Sequence, residues 1–207
     1  MKNLIFTLFI CGIFVITSCA KVYYSPESER AISSHKIIAV VNPRVTLPPQ
    51  KKMTAEEQNA LLIAESESFQ YQMVSWLLRR KNENKIRVDI LDATTTLAKI
   101  KNATEDNKSL TTNQLSELLE VDAVLTSNYK LSKPLSTGAA IATTILFGFG
   151  NTNQIVVTME LHDRRTNKMI WNFSHTLSGG LFSSSDMLVE EIMRIASKKL
   201  PYTKFKK

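Results

Sequence analysis

Hydrophobic and polar positions alternate with two different periods along this chain, and the switches between them predict its elements. Residues 36–41 form a short apolar, β-branched run, ended by Asn42 and Pro43, that reads as a buried strand. A loop with Pro48, Pro49, Lys51 and Lys52 follows. Thr54 then precedes Glu57 by three, the spacing of a capping box. The helix it opens is predicted to run to about residue 80, with Leu62, Phe69, Met73, Trp76 and Arg80 on one face and a basic last turn. Ile86, Val88 and Ile90 alternate with polar neighbours and predict a second strand; residues 94–100 form a short helix. Thr111 and Gln114 repeat the capping pattern before a helix carrying Leu115, Leu118 and Leu119. Residues 122–129 are the third strand.

The two strand–helix–strand crossovers predict parallel neighbours. The later strands differ. Ile155, Val157, Met159 and Leu161 alternate with polar residues, as do Met169, Trp171, Phe173 and Leu177, and Asn167 suits the turn between them. This predicts an antiparallel hairpin with one wet face. A last amphipathic helix spans about 185–199, with Leu188, Ile192 and Ile195 inward and Pro201 beyond it. The fold class expected is α/β: a single domain over 36–201, with a mixed sheet, parallel β-α-β crossovers, a C-terminal antiparallel hairpin and the final helix.

The first eighteen residues stand apart. They carry one charge, Lys2, and then an apolar run through Ile16. Such a run is short for a membrane-spanning helix and reads as a secretory signal over 1–18. Ile16-Thr17-Ser18-Cys19 resembles the lipobox of bacterial lipoproteins, which implies acylation at Cys19 and cleavage before it. Ala20, lacking the charge of Asp, implies outer-membrane delivery by the same resemblance. Residues 20–35 show no sustained period and are expected to be a tether; residues 202–207 are expected to be a basic tail with Lys204, Lys206 and Lys207.

Composition limits the chemistry. The chain is 207 residues, 43% hydrophobic and 22% charged, which excludes a disordered or multi-span chain. Its net charge is +7, but an envelope address argues against nucleic acid as the target. Both cysteines, Cys11 and Cys19, lie in the first twenty residues, so the body has no disulfide framework and no thiol nucleophile. No Gly-rich phosphate loop is present. His162 and His175 could approach each other on the hairpin's wet face, but two histidines do not make a zinc site. Asp163 beside His162 reads as a turn residue, and Trp76 and Trp171 as core. No catalytic, cofactor or metal residue is expected, and no small-molecule substrate.

Residues 135–150 are unusual, being uncharged between two strands where a loop should be polar. Ile141, Ile145, Leu146, Phe147 and Phe149 are the expected partner or membrane contacts. Whether the segment is strand, helix or loop, its periodicity does not decide.

Residues 115–127 and 156–171, with Leu161-His162-Asp163, Thr166-Asn167-Lys168 and Trp171, carry a family resemblance. The second stretch resembles a V-x-L-x-D-x-x-T-G-x-x-x-W hairpin in which Asn167 stands at the Gly position. The final helix ending at Leu200-Pro201 completes it. The chain is similar to a superfamily of envelope lipoproteins and periplasmic domains. That superfamily includes the penicillin-binding-protein activator lipoprotein, the curli secretion channel lipoprotein and the N-terminal domain of the Tol-Pal β-propeller protein. The resemblance implies a binding or assembly module rather than an enzyme. The expected function is a lipid-anchored, non-catalytic protein-binding module assisting assembly or regulation of an envelope machine. It would be held by Cys19, facing the periplasm from the outer membrane, with a protein partner and homo-oligomers possible. The alternative is a self-assembling export or secretion subunit that uses 135–150.

Overall fold

The computed structural model describes residues 20–49, 53–103, 110–131, 154–178 and 185–203. The elements run β1 Lys21–Tyr24, α1 Ser28–Ser34, β2 Ile37–Val40, β3 Arg44–Thr46, α2 Ala55–Asn82, β4 Asp89–Ile90, α3 Ala93–Ala103, α4 Thr112–Leu119, β5 Ala123–Leu131, β6 Gln154–Asp163, β7 Lys168–Ser178 and α5 Ser185–Ala196. They build one open seven-stranded sheet in the order β1-β7-β6-β5-β2-β4, with β3 also paired to β5. β2 is parallel to β4 and β5, while β5, β6, β7 and β1 run antiparallel in turn. The mixed α/β architecture is as the sequence predicts.

Both capping boxes form. The Thr54 side chain accepts from the Glu57 N–H while the Glu57 carboxylate accepts from the Thr54 N–H, and Thr111 and Gln114 do the same for α4. α2 and α5 cover one sheet face and bury Phe69, Met73, Leu77, Leu188 and Ile192 against Leu125, Met159, Trp171 and Phe173. α3 and α4 cover only part of the other face. A smaller cluster of Ala39, Val41, Leu119, Val121 and Val124 lies there. The predicted face of α2 is rotated in detail: Phe69 and Met73 are buried, but Val74 and Leu77 complete the stripe, with Leu62 and Trp76 at its margin.

Three short elements depart from the expectations. Residues 20–35 are not a tether. β1 pairs with β7 from Lys21↔Ser174 to Tyr24↔Trp171, and α1 buries Ala31 and Ile32 in the main core. The sequence hid them because an edge strand of four residues and a helix of two turns are too short to show a period. β3 resumes the path of β2 after Asn42-Pro43, so the two pair successively along β5; a proline lacks the N–H to continue the ladder. At the C-terminus, Tyr202 is fully buried and Ile86 bridges Thr203, so the domain extends past 201 and the basic tail cannot begin at 202.

The β6–β7 hairpin carries a bulge. Leu161 pairs with Trp171 but His162 pairs with Met169, which leaves Ile170 as the extra residue. The bulge buries Ile170 and Trp171 together and turns the Ile170 carbonyl to accept from the Ser25 N–H at 3.0 Å. Met169, expected inward, is half-buried.

Candidate functional site

Three places outside the apolar core are candidates for function. The first is a buried relay at the end of the sheet where the β6–β7 turn lies. His35, between α1 and β2, holds the Asp163 carboxylate through Nε2 at 2.8 Å and the Tyr202 hydroxyl through Nδ1 at 2.5 Å. The second Asp163 oxygen accepts from the Thr166 N–H at 2.8 Å and from its hydroxyl. Burial pushes the Asp163 carboxyl up, but the hydrogen bonds from Thr166 and His35 outweigh it and hold it below its ordinary range. Burial drives the Tyr202 hydroxyl well up, so it stays protonated and donates. The side chains of His35 and Asp163 are 2% and 1% exposed. Both imidazole nitrogens are spent inside the fold, so the constellation fastens three segments and offers no ring nitrogen to a solute. Asp163 is the turn residue expected, with a second partner 128 positions away that no local pattern announces.

The second place is a groove of about 500 Å³ on the sheet face that α3 and α4 leave open. Its floor is Thr126, Asn128, Lys130, Val156, Thr158 and Glu160; Leu110, Thr112 and Leu115 form one wall, and Asn42 and Arg44 close the end. The side-chain oxygens of Asn42 and Asn128 are buried and make no hydrogen bond among the described residues. The groove suits a polar, hydrogen-bonding occupant.

The third is the exposed flank of α2, where Ile63, Tyr71 and Leu78 reach solvent. The Arg79 guanidinium lies 4.1 Å from the Trp76 ring, whose Nε1 donates to the Ser197 hydroxyl at 3.1 Å. Trp76 is thus a margin residue, whereas Trp171 is fully buried and stacks with Phe173 at 6.0 Å.

The two hairpin histidines do not meet. His175 pairs with Val157 and lies buried on the inward face beside Phe173, while His162 faces outward and contacts Glu160 at 3.1 Å. Strand parity decides this: residues 162 and 175 differ from the inward Leu161 and Phe173 by one and by two positions. Burial lowers the His175 pKa, partly opposed by Glu191, which favours the neutral ring. Among the described residues no group of three or more His, Cys, Asp or Glu is placed to hold a metal ion. No helix among them is long and apolar enough to cross a membrane. Cys19, the contact residues Ile141, Ile145, Leu146, Phe147 and Phe149, and Lys204, Lys206 and Lys207 lie outside the described residues.

Fold and surface together define an open-sheet α/β domain of the kind the sequence motifs imply. No family model matches the chain, and no curated protein does. Among solved structures it is similar to the PelC dodecamer from Paraburkholderia phytofirmans, at 14% identity over 84% of this chain and 96% of that one, TM-score 0.40. It is similar to lipoprotein GNA1162 from Neisseria meningitidis, at 14% identity over 80% and 97%, TM-score 0.44. The LpoB C-terminal domain from Salmonella enterica is also similar, at 15% identity over 73% and 93%, TM-score 0.32. These are likenesses of fold.

Proposed function

We propose that this chain is a lipid-anchored lipoprotein of the bacterial envelope whose α/β domain binds protein and serves the assembly or regulation of an envelope machine. The observation that carries the reading is the Ile16-Thr17-Ser18-Cys19 sequence behind an apolar run, followed after one residue by a strand of the folded domain. Several acyl chains on one cysteine give stable anchoring, at about 0.8 kcal/mol per buried CH₂. Cys19 is the lipid carrier, the outer membrane its destination, and residues 135–150 the contact element, through Ile141, Ile145, Leu146, Phe147 and Phe149. The basic Lys204, Lys206 and Lys207 would add an electrostatic contact to anionic headgroups.

The test is metabolic labelling with an alkyne fatty acid in a bacterial host, followed by membrane fractionation. Wild type should carry the label and sediment with the envelope. Cys19→Ala should lose the label and be released or left unprocessed. Equal labelling of the two would refute the lipoprotein reading.

A further inference from the structure

The open sheet face over Asn128 gathers polar side chains that the fold leaves without partners. Asn42, Arg44, Asn128, Lys130 and Thr158 all line the groove beside α4, whose volume of about 500 Å³ is that of a small-molecule site. The side-chain oxygens of Asn42 and Asn128 are buried and accept no hydrogen bond. Folded proteins satisfy nearly all buried acceptors, so two such oxygens in one groove call for a donor from outside the chain. The ion pairs among the described residues use other cations, which leaves Arg44 and Lys130 unpaired.

The sheet register sets how these groups stand. Arg44 is paired with Asn128 across β3 and β5, and Asn128 with Thr158 across β5 and β6. Side chains paired in this way share a face, with Cβ atoms about 5 Å apart. Lys130 follows Asn128 by two residues, so it rises from the same face. Three strands far apart in sequence thus bring two cations to either side of an unsatisfied amide. Glu160 is the one carboxylate among the described lining residues, and it is paired with Thr126, four positions or about 13 Å along β5 from Lys130. Its oxygens are already engaged by His162 Nε2 at 3.1 Å and by Asn172 Nδ2 at 3.4 Å. The groove is therefore positive at its Arg44–Lys130 end. Its middle offers acceptors on the two asparagines, and Val41, Leu115 and Val156 present carbon.

An occupant that matches this lining carries negative charge at one end and hydroxyl donors along a short carbon skeleton. A neutral sugar would leave both cations unpaired, and a simple inorganic anion would bring charge without an array of donors. We infer that the groove over Asn128 binds a small hydroxylated anion, a polyol phosphate or a sugar acid, with its anionic group between Arg44 and Lys130 and its hydroxyls donating to the Asn42 and Asn128 oxygens. The site goes beyond the lipoprotein reading and does not depend on acylation at Cys19.

Isothermal titration calorimetry on the full-length protein in detergent tests it. The probes are glucose 6-phosphate and glycerol 3-phosphate for the phosphates and gluconate for the carboxylates, with glucose and inorganic phosphate as the two half-matches. At least one hydroxylated anion should bind about tenfold or more tighter than both half-matches, and which one binds decides between phosphate and carboxylate. Arg44→Gln and Lys130→Gln should each weaken that binding by about tenfold, since each removes a charge-assisted hydrogen bond. Asn128→Leu keeps the volume and removes the acceptor, so it should lose binding while the urea midpoint holds. Asn42→Leu makes the same test should Asn128→Leu fail to fold. No binding of any hydroxylated anion at millimolar concentration would overturn the inference. So would inorganic phosphate binding as tightly as the best of them, or unchanged binding in a folded asparagine variant.

Discussion

Asp163 divides its two oxygens between a partner in its own turn and a partner far away in the chain. One oxygen closes its own turn through Thr166; the other reaches His35, which in turn holds Tyr202. Asp163→Ala would leave a buried imidazole and a buried N–H without their acceptor, and should cost about 3–5 kcal/mol in urea unfolding at pH 7. The pH dependence follows from the direction of the shift. A carboxyl held below its ordinary value contributes stability that is complete above about pH 4 and fades as pH falls through the folded value. Wild type should therefore lose more stability than Asp163→Ala between pH 5 and pH 2; equal losses would show that the carboxylate contributes nothing. Trp171→Ala should cost about 3–5 kcal/mol, since the ring is fully buried between the sheet and α5. A melting curve matching wild type would contradict that packing.

Helices and strands are placed by signals of different range. α2 and α4 start where Thr and Glu or Gln stand three apart, because that spacing satisfies orphan N–H groups within one turn and needs no tertiary context. Thr111→Ala removes one such bond and should lower stability by about 1 kcal/mol, read as a shift in the urea midpoint at unchanged slope. A neutral result would mean that α4 is held by its packing on Val124 and Val41 alone. β1, α1 and β3 follow another rule. They have three to seven residues each, and only the partners β7 and β5 make them elements. The bulge at Ile170 is of the same kind, since alternation continues smoothly through Met169 and Trp171 in the sequence while the pairing slips.

At the scale of the whole molecule, residues 135–150 lie in the sequence between two paired strands, β5 ending at Leu131 and β6 beginning at Gln154. Replacing 135–150 by a short Gly-Ser linker should leave circular dichroism and the urea midpoint close to wild type, because loop closure depends weakly on length. The same replacement should abolish oligomers or partner complexes in sedimentation of the lipidated protein. Loss of the folded state would make the segment core; retention of folding and of assembly together would remove it as a contact element.

Whatever repeats within a few residues was legible before any folding: the strand and helix periods, both capping boxes, the hairpin, and hence a mixed α/β sheet. Those patterns are local because each reports the satisfaction of backbone groups or the burial of one face within a single element. The remainder came from the chain's path in three dimensions. It put β1 on the sheet edge and shaped the open groove over Asn128. It also joined His35 to Asp163 and Tyr202 across 128 and 167 positions. A buried hydrogen bond needs only that two groups meet in space, and nothing in the spacing of residues along a chain records where it will fold back on itself.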